Sequence, residues 1–500
     1  MMPFISPQHP YHHQVKETAE AWCLRLPPST EQISFVLQIP DNLHFTLMLY
    51  DPSNQYLGEI MKGNHPLAYT ITLGDKPSCH FATTVSPLPT SIRFHLLTDP
   101  DSFPPEGYTV TLSCHLDNTH EALGMKEPLV PLLFSGPKTD TSKGAASTQI
   151  PGGASTNRLR YYKGDLHGHT TLSDGRLTPQ AAVAVLVEQG LEFMAFTEHN
   201  RVAQWFSPAV AHLIPSVELT FPQGHVNIHG LSHADVLGPL SKMGSCSLAD
   251  LVQWNAYGNA HVCVNHPFME PWHFTDETLM VSHIHSLEIL CDPTYSDGAK
   301  ANKQAVAFWD DLWRQGYRVF GVGGSDSHEL PSQPYEGATL PSLFGDPATH
   351  VAASSLTTAS LIESLQQGHV FVSRYAALAL DIQPEGILPG SAVPADTPCI
   401  TWQVTVTNFD AAEVLPVYQA VVYLNGAPYY QQRLTPQHPT FIICVPVTGE
   451  TGYTRISLLD ENQHLHAFTN PVHWGSPQPP DRPLGHLIKE FLRRDQRHSV

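Results

Sequence analysis

The stretch DLHGHTTLSDG, Asp165–Gly175, decides how the chain is read. It closes a short apolar run and places His167 and His169 two residues apart. Alternate side chains of a strand point to one side, so both imidazoles can reach a single ion. The arrangement returns in GGSDSHE, Gly323–Glu329, where Asp326 and His328 alternate at the end of another apolar run. Between the two lie TEHN (Thr197–Asn200), VELT (Val217–Thr220), GHVN (Gly224–Asn227) and NHPF (Asn265–Phe268). Imidazole and carboxylate are the ligands of catalytic zinc, manganese and iron. A lone HxH pair on a strand is commonly structural or solvated, but the recurrence of such clusters at separate strand ends predicts a multinuclear metal site used for hydrolysis. Glu218, with two oxygens, suits a bridging role, and Asp174, His199, His225 and His266 fill in around it.

Working outward, residues after Arg158 alternate between strand and helix patterns. Strands are expected at Tyr161–Leu166, Leu191–Thr197, Leu213–Leu219, His261–Asn265, Ser286–Cys291 and Arg318–Gly323. Thr178-Pro179 reads as a helix start, Gln180–Gln189 as the helix and Gly190 as its stop. Ala299–Gln315 is an amphipathic helix, and Thr357–Gln367 another. Such alternation builds a parallel α/β barrel or sheet with function at the strand C-termini.

The flanks read differently. Short alternating segments such as Ile33–Ile39, Phe45–Tyr50, Ser91–Leu97 and Tyr108–Cys114 predict a β-sandwich or jelly roll over 1–134. Residues 135–157 are small and polar and read as a linker. The barrel is expected over 158–375 and a second β-sandwich over 376–475, with strands at Val370–Ser373, Ile400–Asn408, Gln419–Leu424, Phe441–Val447 and Thr454–Leu459. The basic tail 476–500 reads equally as a docking helix or a frayed end.

Five hundred residues suggest about three domains. A net charge of -20 with 26 Lys and Arg argues against nonspecific nucleic-acid binding, which depends on basic surface. It does not argue against an anionic substrate, because bound cations can dominate a local field. No apolar run approaches the ~18 residues of a membrane span, and the N-terminus lacks a signal-peptide pattern, so a cytoplasmic protein is expected. The eight cysteines form no CxxC pair and read as buried thiols. Thirty histidines prove nothing by number; their positions carry the reading.

The motifs YKGDLHGHTTLSDGRLTP, FTEHN, VELT…GHVNIHGL, VNHP, LEIL and RVFGVGGSDSHE resemble those of the PHP (polymerase and histidinol phosphatase) superfamily of metallohydrolases over Arg158–Ser373. The layout is most similar to its CehA/McbA-type branch, in which accessory β-domains flank the PHP domain; LYDPSNQYLGE and YTRISLLDENQHLHAFTNPVHW fall in those flanks. The resemblance implies a distorted (β/α)7 barrel. It implies that His167, His169, Glu218 and Asp326 hold the first metal and form the catalytic core. Glu218 would bridge to a second ion with His225 and His266, and Asp174, His199 and His328 would hold a third. His229 is the alternative to His225. Glu198 is expected to orient a ligand imidazole. Asn200 and Arg201 follow a ligand directly and are candidates to meet substrate, Arg201 by pairing with an anion or in an exposed salt bridge. Glu288 either lines the cavity or is structural.

Two or three divalent ions (zinc, manganese or iron) would then hold a hydroxide, because they lower the pKa of bound water toward ~7. Phosphoester hydrolysis gains most from such a centre, ahead of carbamate or carboxylic ester hydrolysis. A binding protein with an inert PHP domain is the alternative from another class. The expected partner is a small-molecule substrate; neither nucleic acid nor a membrane is expected, and oligomeric state is not legible.

Overall fold

The computed structural model describes residues 5–17, 19–27, 32–40, 45–52, 56–61, 69–74, 88–98, 104–116, 159–200, 211–231, 247–253, 259–335, 340–375, 377–409 and 417–498, with Pro3 and Ala338. The expected linker 135–157 and the candidate Arg201 lie outside them. What is described is mainly sheet, with few helices.

The N-terminal strands form two four-stranded antiparallel sheets. One orders Tyr11–Val15, Tyr108–His115, Gln32–Gln38 and Tyr69–Gly74; the other orders Ala19–Arg25, Ser91–Thr98, Phe45–Tyr50 and Tyr56–Met61. Alternation along Tyr108–His115 sends Tyr108, Val110, Leu112 and Cys114 inward, where they share one core with Trp22, Phe35, Leu47 and Phe94. Two sheets closing on one apolar layer make a sandwich.

A further, five-stranded sheet carries Glu218 and His225 and leads into His266, Asp326 and His328. Ser216–Phe221, Gly224–His229, His261–Val264, Ser286–Cys291 and Phe320–Gly324 are neighbours in that order. The first two joins are antiparallel and the last two parallel. Gly224–His229 was not expected as a strand. It forms a hairpin with Ser216–Phe221, so strict strand–helix alternation does not hold there. The expected strand Leu213–Leu219 is also divided: His212–Leu213 and Ser216–Phe221 belong to different sheets. Pro215, which has no N–H to give a ladder, stands at the break, and its carbonyl accepts from the amides of Gly230 and Leu231. Of Leu191–Thr197 only Phe193–Met194 pairs.

The remaining strands form a long sheet that starts with His212–Leu213, Phe193–Met194, Arg160–Asp165, Ala348–Ala353 and Val370–Ser373. It continues without a break through Leu465–Thr469, Gly452–Leu459, Tyr418–Leu424 and Ala427–Leu434. Val370–Ser373 pairs antiparallel with Leu465–Thr469, so hydrogen bonding crosses the boundary expected at 375/376. The buried Arg455 guanidinium grips Asp310 of the Gly298–Arg314 helix through Nε (2.9 Å) and Nη2 (2.5 Å), tying the same two regions. A three-stranded sheet of Ala377–Gln383, Cys399–Asn408 and Thr440–Pro446 covers the other face of this core. Its central and edge strands bring Cys399 and Cys444 together in a disulfide, Cα–Cα 6.1 Å. That corrects the all-thiol expectation, because a diagonal pair across two neighbouring strands, 45 residues apart in sequence, leaves no local motif. Leu484–His498 is helical, and its Leu484, Leu487, Ile488 and Phe491 pack into the main core. Among the described residues no helix is long and apolar enough to cross a membrane.

Candidate metal centre

Strand ends meet at two points outside the ladders. Gly168 bridges Ser327, and His199 bridges Glu218, both in parallel sense. These contacts draw the DLHGHT, TEHN, VELT and SDSHE segments around one interior. Asp165 anchors the first of them. Its buried carboxylate accepts from the amides of His167 (3.1 Å), Ser325 (3.1 Å) and Gly345 (2.7 Å), while burial pushes its pKa up to about 6. Backbone strain is concentrated here: of six non-glycine residues at positive φ among the described residues, His266 (24°), Asp292 (33°) and Asp326 (48°) lie one or two residues past strand ends and Asn200 (52°) follows the His199–Glu218 bridge. At Gly324 an added Cβ would lie 2.4 Å from the His167 Cβ and 2.5 Å from Glu288 Oε1, so the close approach requires glycine.

All nine expected ligands converge. Glu218 is the hub: its Oε1 lies 3.4 Å from His167 Nε2, 2.9 Å from His225 Nδ1 and 3.6 Å from His266 Nε2. Its Oε2 lies 3.3 Å from His169 Nε2 and 2.9 Å from His199 Nδ1. Asp326 Oδ1 is 3.1 Å from both His167 Nε2 and His169 Nε2. Asp174 Oδ1 is 3.3 Å from His199 Nε2 and 3.2 Å from His328 Nε2. Groups compact enough to hold an ion include His169, Asp174, His199 and His328; His167, His169 and Glu218; His167, His266 and Asp326; and Glu218, His225 and His266. His167, His169 and Glu218 are fully buried, whereas Asp174, Asp326 and His328 are partly exposed and mark the open side.

Three imidazoles have their orientation fixed from behind. Glu288 Oε1 meets His167 Nδ1 at 2.8 Å, Thr220 Oγ1 meets His199 Nδ1 at 2.6 Å, and the Asp326 carbonyl meets His328 Nδ1 at 2.8 Å. With Nδ1–H donating in each pair, Nε2 is turned into the cluster. Burial alone would raise Glu218, Asp174 and Asp326, but the imidazoles packed on them hold all three well below the usual carboxylate range. Burial would lower His167, His199 and His328; the facing carboxylates instead raise the first two well above 6.5 and His328 to about 9. His169, buried and facing His328 and His199, falls to about 3. Protons thus balance a surplus of anionic and imidazole donors. His167 Nε2, Glu218 Oε2 and Asp174 Oδ1 sit in these close contacts without forming hydrogen bonds, and the buried His266 Nδ1 also has none. Unpaired donors of this kind, six imidazoles and three carboxylates in contact, fit divalent cations.

The remaining expectations divide. His225 reaches Glu218, while His229 turns away to donate to the Leu166 carbonyl and meet His261. Glu198 accepts from Thr170 and Ser173, and Ser173 lies 3.3 Å from His169 Nδ1, so it braces the loop behind a ligand. Glu288 is a buried carboxylate that meets His167 Nδ1 and accepts from the His266 amide. The Asn200 carboxamide is engaged on both sides by the Thr220 backbone, which places Thr220 beside His199. Sequence reading overlooked Asn265, whose amide donates to Glu218 Oε1 at 2.9 Å, and Asp165. Both stand inside motifs already quoted, beside the residues singled out. Cys291 also borders His167 and Glu288, but burial pushes its thiol well above its ordinary range, so it stays protonated.

No protein-family model matches the chain. One curated relative is the 5'-3' exoribonuclease Rnm of Escherichia coli (strain K12), 40% identical over 87 residues; the match takes in 15% of this chain and 29% of that protein. The chain thus spans less than a third of the relative it matches. A solved structure that matches part of the chain is a two-domain protein from Bacteroides vulgatus ATCC 8482 containing a predicted PHP-like metal-dependent phosphoesterase. It is 15% identical, has a TM-score of 0.36, and covers 66% of this chain and all of its own.

Proposed function

We propose that the chain is a metal-dependent hydrolase of the PHP type, acting on phosphoesters. The single observation that carries this is the convergence of six imidazoles and three carboxylates with buried atoms left unpaired. His167, His169, Glu218 and Asp326 would hold one ion; Glu218, His225 and His266 a second; Asp174, His199 and His328 a third. Zinc, manganese and iron all suit this donor set. When bound, such ions lower the pKa of water and neutralise charge on a phosphoryl group. Glu288 fixes the His167 tautomer, Thr220 that of His199, and Asn265 steadies the Glu218 carboxylate. The partly exposed edge at Asp174, Asp326 and His328 is where substrate would enter.

The seven strands Arg160–Asp165, Phe193–Met194, Ser216–Phe221, Gly224–His229, His261–Val264, Ser286–Cys291 and Phe320–Gly324 would make the distorted barrel, supported by the Gly168–Ser327 and His199–Glu218 bridges. The domains would then be 1–134, 158–375 and 376–475. The local likeness to an exoribonuclease favours a phosphoester over a carbamate or carboxylic ester, which the same donors would also serve. The net charge of -20 favours a small substrate over a long nucleic acid.

The test is turnover by manganese- or zinc-loaded protein of p-nitrophenyl phosphate, bis-p-nitrophenyl phosphate and 1-naphthyl N-methylcarbamate, with His266→Ala as control. Phosphoester turnover lost in the variant supports the proposal. Carbamate turnover alone would move it to the other hydrolase class, and metal-bound protein silent on all three would speak for an inert domain.

A further inference from the structure

The segments that follow three adjacent strands, His261–Val264, Ser286–Cys291 and Phe320–Gly324, together hold a row of three contacting aromatic rings outside the metal cluster; the first segment also carries His266, and the third Asp326 and His328. These rings are Trp272, Tyr295 and Tyr335. Trp272 and Tyr295 have centroids 5.9 Å apart at 58°, and Tyr295 and Tyr335 lie 6.0 Å apart, edge to face. The innermost ring is tied to the centre: the Tyr335 hydroxyl donates to the Asp326 carbonyl at 3.3 Å. The outermost, Trp272, is 41% exposed and belongs to none of the apolar cores of the described residues. Its partly exposed indole stands at the end of a line of rings leading to the partly exposed Asp326.

We infer that this aromatic line is a stacking subsite for a flat ring in the substrate, and that the preferred substrates are small phosphoesters carrying a nucleobase, such as nucleoside monophosphates. The inference rests on the phosphoester reading of the metal centre and adds what the rest of the substrate looks like. Phosphate held at the ligand cluster would leave the base to reach outward over the rings. Every base presents a π-face, so such a subsite recognises a ring without reading its edge.

Two matched probes differ only in the ring: adenosine 5'-monophosphate and ribose 5-phosphate. The metal-loaded wild type should have the higher kcat/KM on the nucleotide, and Trp272→Ala should reduce that preference about tenfold or more, with Trp272→Phe restoring most of it. A preference unchanged by Trp272→Ala, or no preference in the wild type, overturns the inference. Calorimetric binding of adenosine 5'-monophosphate separates it from the hydrolase reading. Binding that weakens about tenfold in Trp272→Ala, with no turnover of any phosphoester, sinks the hydrolase and keeps the subsite. Absence of nucleotide binding sinks the subsite, whatever the enzyme does to p-nitrophenyl phosphate.

Discussion

Two buried histidine clusters share the strand Gly224–His229, and they behave in opposite ways. At one end His225 joins His167, His169, His199, His266 and His328 around Glu218, Asp174 and Asp326. At the other, four residues on, His229 stacks with His261, which stacks in turn with His285. In the second cluster each imidazole meets neutral partners. His229 Nε2–H donates to the Leu166 carbonyl (2.8 Å), and its Nδ1 lies 3.1 Å from His261 Nδ1. His261 Nε2 accepts from Ser286 Oγ at 2.9 Å. Burial with no carboxylate in contact lowers His229 to about 4 and holds His261 well below the usual imidazole range, so both stay neutral and their donors and acceptors are used up. In the first cluster the facing carboxylates raise His167, His199 and His328, while His169 and His225 are lowered. Buried histidine alone therefore does not make a candidate metal centre; the shared carboxylates Glu218, Asp174 and Asp326 set the first cluster apart.

The widest break in that comparison should come from its hub. Glu218→Gln should strip bound metal and lower turnover by at least about 100-fold, beyond the 10–100-fold range of a supporting partner. Elemental analysis with steady-state rates checks it, and full metal content in the variant would refute the role given to Glu218. Glu288→Gln, which loosens His167 without removing a ligand, should fall inside that 10–100-fold range of metal affinity, measured by competition with a chromogenic chelator. An effect below twofold would return Glu288 to a packing role.

The protonation contrast predicts a pH effect of definite sign. His167, His199 and His328 carry raised pKa values in the ion-free protein, His328 about 9, and must lose protons to become ligands. Metal affinity should therefore rise from pH 6 to pH 9, about tenfold per pH unit for each proton released, and fall again in acid. Calorimetry in buffers of different ionisation enthalpy counts those protons; a pH-independent affinity would contradict the assignment. The smallest effect on the metal centre should come from the second cluster. His261→Ala should keep the full metal complement while costing about 1–3 kcal/mol of stability, because His229 Nδ1 and Ser286 Oγ lose their partner in a dry interior. Chemical denaturation read beside metal analysis separates the two results.

How far the sequence could go follows from the same particulars. Its alternations at His167/His169 and Asp326/His328, and the apolar runs before them, determined which residues would line up at strand ends, since period-two geometry is local. The helices near 179–188, 298–314 and 358–366 were equally legible, from a Thr-Pro start, an amphipathic stripe and glycine stops. Sequence could not choose between His225 and His229, because both face away from the same strand and only the neighbours across the sheet differ. Nor could it see that Pro215 splits one apolar run between two sheets, that Val370–Ser373 carries the ladder onward into the C-terminal strands, or that Cys399 finds Cys444. Those outcomes depend on contacts between segments tens to more than a hundred residues apart. Glu288 shows the division most plainly: the chain supplies a carboxylate at a strand end, and only the packing of Gly324 against His167 decides that it holds an imidazole.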